Sequence, residues 1–318
     1  MTSPGPGAFI LSLDCEGKWG MADRIDGALD GRLTEAKLRD AYRRLLALFG
    51  TLKLPASFAF VGAFTLDRRE RARFADWFED VEVGGSNWLH HFRRQGDGAA
   101  EGWFLPDALA MTRDAGLHEI ASHGFAHLPV GAGVGRAEAS REFGRARALA
   151  AERAEPPPRT YVYPRNLVAH RGALAAAGFV GHRASRTPTR GDGGRVGVAL
   201  KEWNVVQRAD PHAPADGGAP LPVPAGHFLN WRVGLRERVP MAVTTRRWRS
   251  MLEDAARRGR VAHLWLHPHN VIDSPRTLES LAAICRIAAD LREKGRIEIL
   301  TQADYCDRLA QIRSSASR

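Results

Sequence analysis

Short runs of consecutive apolar residues alternate along the chain with longer stretches whose apolar positions recur every three or four residues. The first pattern belongs to buried strands and the second to amphipathic helices. Runs at 8–13, 57–62, 119–122, 160–163, 179–184, 261–266 and 297–300 predict strands. Stretches at 33–49, 65–78, 136–153, 168–177, 245–258, 277–294 and 303–313 predict helices. In the first helix Leu33, Ala36, Leu38, Tyr42, Leu45, Leu46 and Phe49 make the apolar stripe, with Thr34 as N-cap and Gly50 as stop. Repeated strand–helix alternation predicts an α/β fold with a parallel sheet, and the number of repeats favours a closed or nearly closed barrel. Two stretches break the rhythm. Residues 82–107 are rich in Gly, Trp and His, and 188–240 are rich in Gly and Pro with strand-like pieces near 202–206 and 226–233. Both are expected to be long loops on a single domain spanning 8–313, between a floppy leader (1–7) and a polar tail (314–318).

Composition narrows the class. Of 318 residues 44% are hydrophobic, which excludes a disordered chain. The net charge of +10 is carried mostly by arginines spread over several segments, as on solvated helix faces. No concentrated basic stripe argues for nucleic acid, although the same charge would attract an anionic substrate at long range. The three cysteines, Cys15, Cys285 and Cys306, make no disulfide framework, so a reducing compartment is expected. The leader lacks the basic and apolar regions of a signal peptide, and the apolar run after it is too short for a membrane span. The expected location is the cytoplasm, with contact to a lipid-linked substrate at a membrane surface left open.

The polar residues at strand ends carry the chemistry. Asp14, His123, Arg165 and His267 each lie at or just past the C-terminal end of a predicted strand. In a parallel barrel those ends open on one face, where active sites form. His123 and His127 are four positions apart, and two imidazoles at that spacing can close on one metal ion. The pair alone is a weak signal, and Gly124 between them disfavours a helix. Asp14 and Glu16 share a side if extended geometry persists, whereas Cys15 points the other way and packs. Two histidines and one carboxylate with an open position make a hydrolytic metal site. The remaining carboxylate serves as general base. His267, oriented by Pro268, can protonate a leaving group, an effect worth roughly 10²–10⁴-fold in rate. His269 is its rival, and His263 is expected to be buried or on the far side of the strand. Arg165 can hold a carboxylate ionised. Asn166 binds substrate or caps the next helix. Trp19, Trp88, Trp103, Trp231 and Trp265 include candidates for sugar stacking.

Together these residues resemble the polysaccharide deacetylase family, the chitin-oligosaccharide deacetylase-like carbohydrate esterases. The likeness spans about residues 9–300. The family's acidic motif is matched by Asp14-Cys15-Glu16, its His-x-x-x-His motif by His123 through His127, its Arg/Pro motif by Pro164-Arg165-Asn166, and its late Leu-x-His motif by Leu264-Trp265-Leu266-His267. The acidic motif departs from the commoner pair of adjacent aspartates, being acid-x-acid, and the Arg/Pro motif is permuted. The resemblance implies a distorted (β/α) barrel of about seven parallel strands. It implies Asp14 as general base and Glu16, His123 and His127 as ligands of a divalent metal, most simply zinc. His267 would be the general acid and Arg165 the residue tuning Asp14. Leu266 or Leu264 would line an acetyl pocket, with Asn166, His269 and Trp19 on the substrate side. The expected function is metal-dependent removal of an acyl group, N-acetyl first, from a sugar of a polysaccharide or its biosynthetic precursor. The alternatives are a non-catalytic carbohydrate-binding barrel and a metal-dependent amidohydrolase of a small non-sugar amide such as a ureide or cyclic imide.

Overall fold

A computed structural model describes residues 6–25, 27–131, 133–186, 203–213, 218–229 and 231–316. Its strands are β1 (Gly7–Cys15), β2 (Ser57–Phe60), β3 (Glu82–Val83), β4 (Ser86–Asn87), β5 (Glu119–Ser122), β6 (Thr160–Tyr161), β7 (Gly181–Arg183), β8 (Leu221–Val223), β9 (His227–Phe228), β10 (Val261–Leu266) and β11 (Ile297–Leu300). β3 and β4 form a small antiparallel hairpin. The other nine make one parallel sheet in the order β8-β7-β6-β5-β2-β1-β10-β9, with β11 also paired to β1. The two edge strands are neighbours along the chain. Residues 221–228 therefore follow one strand path, whose first half pairs with β7 and whose second half pairs with β10. The path breaks at 224–226, where Pro224 has no N–H for a ladder and Gly226 takes φ +68° against His263. This broken strand turns the sheet into a distorted (β/α) barrel, as expected.

Every residue of β1 is buried, because both faces of a parallel sheet are covered. Phe9, Leu11, Leu13 and Cys15 face the outer helices. Ala8 and Ile10 face inward, where they meet Leu221, Val223 and Val261 and the closing helix Gln302–Ala316 through Tyr305, Cys306 and Leu309. That helix plugs the N-terminal end of the barrel. Further up the strands the interior narrows to Ala59, Ala121 and Val162, small side chains that leave room for polar groups at the C-terminal ends.

The strands expected at 119–122, 261–266 and 297–300 coincide with β5, β10 and β11. Local chemistry moved other boundaries. Thr34 does cap its helix, accepting from the Lys37 N–H, but Glu35–Thr51 runs through Gly50. The stretch at 65–78 is not one helix. Asp67 and Glu70 form a capping box that starts a new helix, Arg68–Arg73, between two single-turn 3₁₀ segments. The stretch at 82–107 holds the β3–β4 hairpin and the helix His90–Arg94, and Pro106 opens the helix Pro106–Asp114. In the stretch at 188–240, residues 188–202, 214–217 and 230 lie outside the described residues. Its described part supplies β8 and β9, and no strand forms at 203–206.

Candidate active site

β1 delivers the two carboxylates. Asp14 lies on the barrel interior, and Gly17, at φ +53°, turns the chain directly after Glu16. Both carboxylates are buried, at 3% and 6% exposure. Cys15 packs outward, as the alternation required. Gly20 lies flat on the Glu16 carboxylate; a Cβ there would stand 2.1 Å from Oε1.

β5 delivers the histidines. His123 follows its last residue and donates from Nδ1 to the Val162 carbonyl at 2.7 Å. That bond assigns the ring proton to Nδ1 and leaves a lone pair on Nε2, the arrangement typical of a metal-ligating histidine. The chain then turns at Gly124 (φ +86°), and His127 itself is left-handed (φ +57°). The i, i+4 spacing thus works through a loop, and no helix forms there. His127 Nε2 lies 3.1 Å from His123 Nε2. Glu16 Oε2 lies 3.0 Å from His127 Nε2 and 3.3 Å from His123 Nε2. His127 Nδ1 has no partner, so only the Nε2 end of that ring is engaged.

These residues fit a metal ion. Ligand atoms about 2.0–2.1 Å from one tetrahedral ion stand roughly 3.3 Å apart, close to the separations here. Protons or a cation must sit between such atoms. Burial lowers the proton affinity of His127, although Glu16 opposes it. Burial pushes the Glu16 carboxyl up, but the charges of His267 and His127 and hydrogen bonds with His123 and His127 bring it well below the ordinary range. Glu16, His123 and His127 are the one metal-capable cluster among the described residues.

Asp14 is held differently. Arg183, from the end of β7, donates to both carboxylate oxygens at 2.7 Å. Burial pushes the Asp14 carboxyl up, and the charge and hydrogen bonds of Arg183, helped by His123 and His267, outweigh that and leave it below its usual value. This corrects the expectation for Arg165. At φ +56° Arg165 turns away to pair with Asp23 and lie 4.8 Å over the Trp88 ring. Asn166 neither caps the next helix, which has His170 at its N-cap, nor reaches the site directly; its Oδ1 accepts from Arg183 Nη2 at 3.0 Å. Below the ion pair, Arg183 donates to Ser12 Oγ (3.4 Å), and Ser12 donates to His263 Nε2 (2.8 Å). His263 Nδ1 donates to Pro224 O at 2.6 Å. His263 is buried, and burial takes its pKa down to about 3.

β10 supplies the opposite wall. Its alternation points His263, Trp265 and His267 inward. Leu264 and Leu266 point outward into the core under the helices. Leu266 therefore faces away from the carboxylates and histidines, and Trp265 lies on their side of the strand instead. Trp265 lies 4.5 Å under the Arg183 guanidinium and 4.7 Å from Phe228. His267 Nε2 faces Glu16 Oε1 at 3.4 Å, and its Nδ1 lies 3.3 Å from Asn270 Oδ1. Its side chain is 21% exposed. His269 stacks behind it at 4.9 Å, buried and pushed down to about 3 by burial. His267 is the more accessible of the two histidines. Trp19 is a core residue, wedged among Phe78, Phe92 and Trp103 with its indole N–H on the Trp103 carbonyl. Trp88 and Trp103 are likewise buried. Sequence reasoning missed Arg183, although it ends the strand expected at 179–184 and obeys the same strand-end rule as Asp14 and His267.

No family model matches the sequence, and no curated protein matches it either. Solved structures do match the fold. A protein assigned to the polysaccharide deacetylases from Mycobacterium smegmatis aligns with TM-score 0.57 at 18% identity, over 98% of this chain and 93% of its own. Another so assigned, from Pseudomonas aeruginosa PAO1, aligns with TM-score 0.55 at 14% identity, over 94% and 89%. The fold is that of the polysaccharide deacetylases. The PuuE allantoinase shares it, with TM-score 0.57 at 14% identity over 94% and 89%. The polysaccharide deacetylase fold thus serves a protein named for a different substrate, and chemistry has to be argued from the residues at the strand ends.

Proposed function

We propose that the chain is a metal-dependent hydrolase that removes an acyl group, N-acetyl first, from a sugar of a polysaccharide or its precursor. The observation that carries this reading is the division of labour between the two carboxylates. Asp14 is held by Arg183, and Glu16 closes on His123 and His127. A divalent cation, most simply zinc, bound by Glu16, His123 and His127 supplies Lewis acidity and lowers the pKa of water. Asp14, kept ionised and oriented by Arg183, accepts the proton of the attacking water. His267 holds a proton at Nε2 for the leaving amine, while Asn270 fixes its ring through Nδ1. Trp265 and Phe228 form an apolar wall beside His267 for the acyl group or sugar ring.

A second reading, an amidohydrolase of a small cyclic amide or ureide, is favoured by one observation: the allantoinase matches the fold as well as the deacetylases do. Acetate release from N-acetylated sugars, run beside ring opening of a small cyclic amide, separates the two. Full activity after His123→Ala with His127→Ala would sink both. Metal binding with no turnover of either substrate class would favour a carbohydrate-binding barrel. No helix among the described residues is long and apolar enough to cross a membrane. A cytoplasmic location and a substrate that is soluble or lipid-linked belong to the same proposal.

A further inference from the structure

His127 is a left-handed residue whose two chain neighbours both donate their backbone N–H to a single carboxylate. Glu142, on the helix Arg136–Glu152, sends its Oε1 under the loop. That one atom accepts from the Ala126 N–H at 2.9 Å and from the Leu128 N–H at 3.1 Å. These are the residues on either side of His127. Glu142 is 4% exposed, so water does not compete for those bonds. Two further features belong to the same cradle. The Trp88 indole N–H donates to the Ala126 carbonyl at 2.9 Å, holding the peptide that enters His127 from its other end. Gly124 has no Cβ where one would stand 2.4 Å from Glu142 Oε1, so the carboxylate can reach the loop.

A non-glycine residue at φ +57° persists only where its surroundings hold it. Here one acceptor pins both flanks of the strained position and aims the ring at Glu16 and His123. We infer that Glu142 is a positioning residue for His127, a clamp that sets the geometry of the metal centre without touching the ion. The inference rests on the metal-centre reading above. It concerns the site's assembly and is independent of what the substrate is. Partners of this kind in metal sites typically change affinity by about 10–100-fold when lost.

The test uses the full chain and Zn²⁺ alone, titrated against a chromogenic chelator, with thermal melting of the metal-free protein alongside. Glu142→Leu removes the acceptor at similar bulk, and Glu142→Gln keeps an oxygen acceptor while dropping the charge. Glu142→Leu is expected to weaken Zn²⁺ binding at least about 10-fold, and Glu142→Gln to stay within about 3-fold of the unmodified chain. Unchanged affinity in Glu142→Leu overturns the clamp, even where its melting temperature falls. Equal losses in both variants overturn it too, since the acceptor would then not be what matters. Should Glu142→Leu fail to fold, Glu142→Met removes the same acceptor with a more adaptable side chain, and its binding is read against the same thresholds. A lack of Zn²⁺ binding by the unmodified chain would instead refute the metal-centre reading, an outcome distinct from any ratio between variants.

Discussion

Arg183 donates to both carboxylate oxygens of Asp14 at 2.7 Å, from a strand four places along the sheet from β1. The pair is buried, so its geometry is rigid and water barely screens it. Arg183→Lys keeps the charge and loses the fork. It is expected to lower kcat/KM about 10²-fold, the usual cost of misplacing a reacting group by about 1 Å. The pH profile supplies the second readout. In the proposed role as base Asp14 works only when ionised, and Arg183 helps hold it below its usual value. Weakening the pair raises the pKa and moves the acidic limb of the kcat/KM profile to higher pH. Arg165→Ala, which breaks a pair with Asp23, should leave that limb in place.

The accessibility of His267 and the burial of His269 lead to opposite expectations for two adjacent histidines. His267→Ala is expected to lower kcat about 10²–10⁴-fold and leave metal stoichiometry at the level of the unmodified chain. His269→Phe should keep more activity, because His269 is a neutral packing partner behind the His267 ring, the proposed acid. Steady-state kinetics with metal analysis on both variants checks this. Equal losses would mean that His267 is not the proton donor.

Two tryptophans make a further contrast. Trp19→Ala empties a site lined by Phe78, Phe92 and Trp103 and is expected to cost about 3–5 kcal/mol of stability. Its KM, measured below the melting transition, should stay near that of the unmodified chain. Trp265→Ala removes the wall between Arg183 and His267 and should raise KM with a smaller loss of stability. Denaturant melts and KM values on the two variants distinguish a core residue from a substrate contact.

His118 gives a prediction away from the site. It packs against Phe49 and Phe58 with neither ring nitrogen bonded, and burial takes its pKa from 6.5 to about 4. Between those values the unfolded chain binds a proton that the folded chain does not. Stability from this group is therefore complete above pH 6.5 and lost as pH falls toward about 4. His118→Leu should narrow the difference in melting temperature between about pH 8 and about pH 4.5, a span that covers most of that window. The slope should not vanish, because burial also lowers His182 to about 4 and His227 to about 3. An unchanged difference would remove His118 from the acid response.

Much of this arrangement was legible in the chain itself. The runs at 119–122, 261–266 and 297–300 are strands because a short apolar run buried on both faces has few other uses. The side shared by Asp14 and Glu16, and the opposite side for Cys15, followed from a period of two. The strand-end rule selected Asp14, His123 and His267, and motif spacing added Glu16 and His127. The rest was set by contacts between residues distant in sequence. Which arginine meets Asp14 depends on how β7 lies across the barrel from β1, and two arginines at strand ends look alike until the sheet closes. The turn at 163–166 swings Arg165 toward Asp23 and Trp88 through two left-handed residues that no local pattern announces. Likewise Trp19 and Trp265 are the same residue type beside a motif, one sealed in a core and the other on the wall of the site. The short-range alternation of the chain determined which residues could point inward. Only the register of distant strands decided which of them meet, because a hydrogen bond or ion pair needs its partner within about 3 Å and sequence spacing carries no such distance.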